Sequence, residues 1–112
     1  MKIINGHEEN LPAYTGEFYI TVAYENESKG GHYHKKANEW FTLIKGKCNL
    51  RLFDISTSES TILNLDAGSP KTVFVPPGIA HIFINTGKED FILSAYSDQL
   101  YDPEDTCPFS FE

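Results

Sequence analysis

Apolar residues in this chain recur at every second position, and clusters of turn-forming residues interrupt them about every ten residues. In the run 17–24, for example, Phe18, Ile20 and Val22 alternate with residues of the opposite strand face. No stretch carries a sustained helical stripe with caps. The pattern therefore predicts an all-β sandwich or barrel of about seven to nine short strands. The predicted strands cover residues 17–24, 39–44, 48–53, 60–65, 72–76, 80–85 and 91–97.

Two local signals refine this prediction. The runs 39–44 and 48–53 are separated by "KGK", which predicts a hairpin with a turn centred on Gly46. Near the end, "SDQLYDPEDT" could form a turn of helix, whose length Pro103 limits.

The length of 112 residues suits one domain, residues 1–112, that is large enough to bury a core. We expect the barrel to occupy about residues 17–97. The flanking segments 1–16 and 98–112 contain apolar pieces, such as the aromatic tail "CPFSF", that a small barrel does not easily cover. We therefore expect both segments to pack at the interface of a homodimer.

Charge and targeting signals restrict the function further. A net charge of −7 and a pI near 5.0 argue against nucleic acid and membrane surfaces as partners, because both reward clustered lysine and arginine. The N-terminus lacks the apolar region of a signal peptide, and no run is long enough to span a membrane. Together with Cys48 and Cys107, which predict two free thiols, this favours a cytoplasmic protein.

The stretch "GGHYHKKANEW" predicts a metal site. His32 and His34 are two residues apart, so on a strand both imidazoles project from one face. Glu39 begins the next predicted strand on an apolar face, where a carboxylate needs a partner or a cation. The turn "PPG" precedes a further strand that carries His81. Three imidazoles and one carboxylate suit one divalent transition metal, with zinc expected and Fe, Mn and Ni as alternatives.

A simpler interpretation is available for His32 and His34 when they are considered alone. Two histidines on a strand are most often ordinary surface residues. The second half, around His81, is what favours the metal interpretation, because independent patterns then converge on one donor set.

Two motifs carry a resemblance to a known family. H-x-H-x4-E-x6-G is met by His32, His34, Glu39 and Gly46, and P-x-G-x2-H-x3-N begins at Pro76. In this order they resemble the two signatures of the cupin superfamily, which implies a small double-sheet jelly-roll barrel. The second motif places its remaining residues at Gly78, His81 and Asn85.

Longer stretches give a closer resemblance. "GGHYHKKANEWF", "TVFVPPGIAHIFINTGKEDF" and "YDPEDT" are similar to the metal-binding C-terminal cupin domain of bifunctional UDP-sugar epimerase/reductases of capsular-polysaccharide synthesis. "KGGHYHKK" and "AYSDQLYDPED" are also similar to dTDP-sugar 3,4-ketoisomerases and dTDP-4-dehydrorhamnose 3,5-epimerases. Those relatives generally lack the metal glutamate, so Glu39 favours the metal-holding branch. The resemblance implies epimerisation or isomerisation of a nucleotide-linked 4-keto sugar.

Such chemistry needs a base beside the carbon next to the ketone, a positive charge at the ketone oxygen, and an acid. If no metal binds, His32 is the candidate base. Tyr96 and Tyr101 are candidate proton donors, with Tyr96 slightly preferred because it lies on the last predicted strand. The candidate substrate-binding residues, three of which are cations that could receive a diphosphate, are Lys29, Lys36, Arg51 and Asn85.

Two alternatives stay open. A non-catalytic cupin could bind a sugar or small metabolite as a sensor or accessory subunit. An Fe(II)-dependent cupin oxygenase could use the same ligands, His32, His34, Glu39 and His81.

Overall fold

The computed structural model describes residues 1–111, and nearly all of the regular structure is β. A single 3-10 turn, Pro103–Asp105, follows the ninth strand, and Pro103 opens it rather than ending it. No helix within residues 1–111 has the length and apolar character needed to cross a bilayer. The strands are β1 Lys2–Ile4, β2 Glu17–Ala23, β3 Ser28–His34, β4 Glu39–Lys45, β5 Lys47–Asp54, β6 Ser60–Asp66, β7 Thr72–Val75, β8 Ile79–Asn85, β9 Phe91–Ser97 and β10 Thr106–Pro108.

The strands form two five-stranded antiparallel sheets. The first sheet has the order β1-β2-β9-β4-β7 and the second the order β10-β3-β8-β5-β6. Sequence neighbours are distributed between the two sheets, as in a double-sheet jelly roll. The predicted fold class is therefore confirmed.

The core lies between the two sheets and follows the period-two pattern. On β9, Phe91, Leu93 and Ala95 are buried, whereas Ile92 and Ser94 are only partly so. Phe41 and Phe83 meet across the core at a ring distance of 4.8 Å. Alternation therefore decides which side chains fill the core, because successive strand residues point to opposite faces.

Gly46 makes a corner between the sheets and not the predicted hairpin turn. β4 pairs with β7 and β9, whereas β5 pairs with β6 and β8, so these consecutive strands do not pair with each other. Gly46 has φ +85°, and a Cβ there would lie 3.1 Å from the Cα of Phe91. Glycine meets both demands, since it tolerates positive φ and close backbone approach.

Both ends of the chain add an edge strand. β1 pairs with β2, and β10 pairs along β3, where Thr106 lies opposite His34. The aromatic tail packs on its own chain, because Phe109 stacks on Phe53 at 4.9 Å and contacts Phe111 at 4.7 Å. In the N-terminal segment, Tyr14 is almost fully exposed.

The buried carboxylate of Asp105 fastens the 3-10 segment Pro103–Asp105 to the barrel. Asp105 accepts hydrogen bonds from the backbone N–H groups of Lys35, Lys36 and Ala37, at 2.9, 2.8 and 3.2 Å. These three donors lie in the turn between β3 and β4, which carry His34 and Glu39. One carboxylate thus closes the turn and holds the 3-10 segment against it.

We expect Asp105→Ala to lower the free energy of unfolding by about 2–4 kcal/mol, because it leaves the buried N–H of Ala37 and the part-buried N–H groups of Lys35 and Lys36 without their acceptor. Urea unfolding followed by tryptophan fluorescence measures the change. Asp66→Ala is the matched control, since Asp66 is exposed and accepts one local N–H, from Gly68. Equal losses in the two variants would contradict a special role for Asp105.

Candidate metal centre

A bulge in β3 places His32 opposite His81 of the neighbouring strand β8. Gly30 lies opposite Ile82 and His32 opposite His81, so Gly31 is an extra residue in the ladder. Gly30 and Gly31 have φ values of +106° and +81°, and a Cβ on Gly30 would lie 2.7 Å from the carbonyl oxygen of His81. The two glycines before the first histidine therefore allow the close approach of the two histidine-bearing strands.

The "PPG" turn fixes His81 at the start of β8. Gly78, with φ +82°, donates its N–H to the carbonyl of His34 at 2.8 Å, which joins the turn to the end of β3. His81 is fully buried, and its Nδ1 lies 3.2 Å from the carbonyl oxygen of Ile79. Donation from Nδ1 to that carbonyl leaves Nε2 with a free lone pair.

Glu39 approaches the histidines from the opposite sheet. It begins β4, is 3% exposed, and places Oε1 2.9 Å from His34 Nε2 and 3.6 Å from His81 Nε2. Its second oxygen, Oε2, accepts a hydrogen bond from the Tyr19 hydroxyl at 3.2 Å. The Nδ1 of His34 lies 3.1 Å from the carbonyl oxygen of Asp105. Both imidazoles thus present Nε2 to the same carboxylate oxygen.

The structure brings all four predicted ligands together. Ligand atoms of His32, His34 and His81 all lie within 4.8 Å of one another, and the His32 ring lies 5.0 and 4.9 Å from the other two rings. Glu39 joins this cluster through His34 and His81.

Two buried polar atoms in the cluster lack a hydrogen-bond partner among residues 1–111, and their positions show whether a metal would fit. Glu39 Oε1 and His34 Nε2 are both buried and, within residues 1–111, have no hydrogen-bond partner, so their 2.9 Å approach lacks hydrogen-bond geometry. Ligands of a tetrahedral zinc, with bonds of about 2.0–2.1 Å, are about 3.3 Å apart. The observed separations of 2.9 and 3.6 Å bracket that value. The residues present therefore fit a divalent transition metal.

Electrostatics favour the same donor set. Burial lowers the pKa of His81 to about 4, and burial together with the nearby His34 lowers the pKa of His32. Burial also works against a charge on His34, but the Glu39 carboxylate and the Asp105 carbonyl outweigh it and raise its pKa. At neutral pH, His32 and His81 are therefore uncharged and keep a lone pair for a metal.

Glu39 is held as an anion. Burial alone would raise its pKa, but His34, His81 and Tyr19 outweigh burial and the net shift is downward. Burial and the Glu39 charge raise the pKa of Tyr19, so its hydroxyl stays protonated and donates. A nitrogen-rich set with one carboxylate suits Zn, Fe, Mn or Ni better than Mg or Ca.

The cluster lies at a cavity of about 320 Å³, a volume within the range of small-molecule sites. His32, His34 and Glu39 line it together with Tyr19. Its rim includes Met1 and Lys2 and, from the end of β9 onward, Ser97, Gln99, Leu100, Tyr101, Asp102, Asp105 and Thr106.

Of the two predicted proton donors, Tyr101 is the one that lines the cavity. The hydroxyl of Tyr96 instead accepts the N–H of Gly16 at 3.2 Å, and its ring packs 5.8 Å from Trp40. Tyr101 is held at the rim by its backbone N–H, which donates to the buried Glu17. A catalytic role for Tyr101 stays a prediction, and it is the better placed of the two.

The predicted substrate-binding residues are dispersed. Lys36 lines a second pocket that adjoins the cavity and shares Tyr101 with it. Lys29 and Arg51 do not line the cavity, and the Arg51 side chain donates to Asn49. Asn85 is buried, and its amide group donates to the carbonyls of Ala23 and Glu89 at 3.0 and 2.9 Å. These bonds give Asn85 a structural role away from the cavity.

Sequence reasoning missed Tyr19, Glu17 and Lys2. Glu17 and Tyr19 share the inward face of β2, and Lys2 bridges to Glu17 at 3.0 Å. A signal was present, because both polar-tipped residues occupy alternate positions of a strand whose other face is aliphatic and aromatic. Nothing in the sequence indicated that this face meets Glu39.

Known proteins with related sequences or structures share this fold. Ninety aligned residues are 27% identical to UDP-2-acetamido-2,6-beta-L-arabino-hexul-4-ose reductase of Pseudomonas aeruginosa, covering 80% of this chain. The chain spans 24% of that reductase's length. The capsular polysaccharide assembling protein CapF of Staphylococcus aureus superposes with a TM-score of 0.80 and 23% identity, over 86% of this chain and 29% of CapF.

Two epimerases also superpose on the chain. NovW, a 4-keto-6-deoxy sugar epimerase of Streptomyces spheroides, gives a TM-score of 0.76 at 20% identity over 84% of this chain and 51% of its own. The dTDP-4-dehydrorhamnose 3,5-epimerase of Bacillus anthracis gives a TM-score of 0.79 at 16% identity, over 88% of this chain and 61% of the epimerase chain. At these identities the likeness shows a common fold. Residues 9–109 match the family model of the polysaccharide biosynthesis C-terminal domain, and the chain therefore belongs to that family of cupin-fold domains.

Proposed function

We propose that this chain is a metal-binding cupin that epimerises or isomerises a nucleotide-linked 4-keto sugar in surface-polysaccharide biosynthesis. One observation carries the proposal: three imidazoles and a buried carboxylate lie together, and two of the imidazoles and the carboxylate line a cavity large enough for a sugar. The family assignment to polysaccharide biosynthesis supports the pathway. The name of the similar reductase, a hexul-4-ose reductase, supports a keto sugar as the substrate class.

The proposed reaction removes a proton from the carbon beside the ketone and returns one to the same carbon or its neighbour. A bound divalent metal would supply positive charge beside the ketone oxygen. His32 is uncharged at neutral pH and lines the cavity, so its lone pair could hold either a metal or the abstracted proton. The Tyr101 hydroxyl, at the rim, is the group that we assign to returning a proton.

The cations around the cavity suit a diphosphate. Lys2 lines the cavity rim and lies over the Tyr101 ring, 5.3 Å from its centre, while Lys36 lines the adjoining pocket. A nucleotide diphosphate extending from the sugar would pass between these ammonium groups. We assign this subsite to Lys2 and Lys36.

A reducing, cytoplasmic location is part of the proposal. Cys48 and Cys107 are both free thiols. Cys48 is buried, and burial raises the pKa of its thiol to about 11, which keeps it unreactive.

The activity is tested by hydrogen exchange. We expect the metal-loaded protein to incorporate deuterium next to the ketone when a panel of UDP- and dTDP-4-keto sugars is incubated in D2O and followed by NMR. His81→Ala should lose at least about 100-fold of this rate if the histidine cluster carries the reaction. His7→Ala is the matched control, because His7 is exposed in the N-terminal segment. Sugar binding without deuterium uptake across the panel would instead favour the non-catalytic alternative.

The cofactor is tested by elemental analysis. Purified protein should carry about one transition metal per chain, because four protein ligands converge on one point. His81→Ala should lose the metal and His7→Ala should keep it. A stoichiometric metal that survives His81→Ala would place the site elsewhere. Oxygen consumption with iron alone would favour the oxygenase alternative.

We also propose a homodimer, and we assign its interface to the outer face of the first sheet in place of the flanking segments 1–16 and 98–112, because the aromatic tail packs on Phe53 of its own chain. One row across this face consists of Phe74, Trp40, Tyr96 and Phe18, which are neighbours in the strand register. Trp40 and Phe74 are 37% and 49% exposed, with ring centres 5.2 Å apart. The next row carries Thr72, Thr42, Ser94 and Ile20, so neither row contains a charge. Uncharged, aromatic surface of this kind is typical of homodimer interfaces.

The dimer is tested by substituting one exposed aromatic residue. Phe74→Glu should convert the dimer to a monomer in sedimentation equilibrium, because it buries a charge without a partner. Ile62→Glu is the matched control, since Ile62 is 61% exposed on β6 of the other sheet. Stable dimers dissociate at roughly micromolar concentrations or below. A wild-type protein that is still monomeric at about 100 µM would therefore contradict the proposal.

A further inference from the structure

We propose that Tyr19 is a positioning residue that fixes Glu39 as a metal ligand through one oxygen. The proposal rests on the metal binding proposed above, and it concerns a residue that neither cupin motif contains. The Tyr19 hydroxyl lies 3.2 Å from Glu39 Oε2 and donates to it.

The contact depends on the strand order of the first sheet. β9 lies between β2, which carries Tyr19, and β4, which carries Glu39. In the register, Tyr19 lies opposite Ala95, and Glu39 lies opposite Ser97. Two strand spacings, about 9.6 Å, separate the two backbones. A tyrosine reaches a glutamate over that distance because the intervening β9 positions carry small side chains.

The two oxygens of Glu39 have different surroundings. Oε1 faces His34 and His81 and has no hydrogen-bond partner among residues 1–111. Oε2 accepts a hydrogen bond from the Tyr19 hydroxyl. A carboxylate held in this way offers one oxygen to a metal, while its second oxygen is already engaged.

Removing the hydroxyl should therefore change the ligand and not only the fold. Without the hydrogen bond, the Glu39 carboxylate is free to rotate about its terminal bond, and both oxygens can approach a metal. Loss of such an outer partner commonly lowers metal affinity by about 10–100-fold. A change from one to two bound oxygens would also raise the coordination number, which the visible spectrum of Co²⁺ reports.

The test uses Tyr19→Phe, with Tyr24→Phe as the matched control, because Tyr24 is exposed just beyond the same strand. Affinities for Zn²⁺ and Co²⁺ are measured by competition with a chromophoric chelator. We expect Tyr19→Phe to bind each metal about 10-fold or more weakly and to give a weaker Co²⁺ absorption band. Tyr24→Phe should match the wild type in both measurements.

A double-mutant cycle separates positioning from a general loss of structure. If Tyr19 acts through Glu39, then Tyr19→Phe should have no further effect on metal affinity in the Glu39→Ala background. A merely structural role would give the same loss in both backgrounds and leave the Co²⁺ spectrum unchanged. Either of those results would overturn the proposal, as would a wild-type affinity in Tyr19→Phe.

The readout keeps this proposal distinct from the proposed function. Metal affinity and the Co²⁺ spectrum need no sugar, so a wild-type chain that binds metal but exchanges no deuterium contradicts the epimerase role alone. A wild-type chain that binds neither Zn²⁺ nor Co²⁺ would overturn both.

Discussion

Glu39 is a carboxylate that is 3% exposed between two β-sheets, and much of the molecule is arranged around its charge. An isolated buried anion is strongly unfavourable, so it requires donors or cations within contact distance. Tyr19 supplies a hydrogen bond to one oxygen, whereas the other faces His34 and His81 and keeps no partner of its own. The remaining need for positive charge at that oxygen is the physical reason to place a metal there.

The histidines depend in turn on backbone features that have no chemistry of their own. The bulge at Gly31 sets His32 opposite His81, and the positive φ of Gly78 brings the "PPG" turn onto the carbonyl of His34. Asp105 fastens the turn that joins the two ligand-bearing strands. The four candidate ligand side chains are therefore positioned by glycines in the backbone and by the carboxylate that fastens the neighbouring turn.

Sequence reasoning reached the strands because alternation is a local property. In the run containing Phe91, Leu93 and Ala95, for example, the alternation alone identifies the buried face, and no knowledge of the neighbouring strands is needed. The corner at Gly46 could not be predicted, because a glycine between two strands suits a hairpin turn and a change of sheet equally well. Pairing partners are set by the whole sheet, and local composition does not encode them.

The same limit divides the site. The four candidate ligands follow from spacing and family resemblance, whereas Tyr19 and Asp105 lie in strands and turns distant in sequence. The sequence slightly favoured Tyr96 over Tyr101 because Tyr96 lies on a predicted strand, whereas the course of the chain after β9 brings Tyr101 to the cavity. Three-dimensional neighbours of this kind carry no signal in a single sequence.

The hydrogen bond between His34 and the carbonyl of Asp105 joins residues 71 positions apart. The Nδ1 of His34 therefore gains its carbonyl partner only when the segment after β9 has docked along β3. Residues 17–97 contain all four candidate ligands, but they do not contain the carbonyl that the His34 ring meets. The orientation of one candidate ligand is thus tied to the docking of β10, so a substitution that releases β10 from β3 should disturb the His34 ring while the two sheets persist.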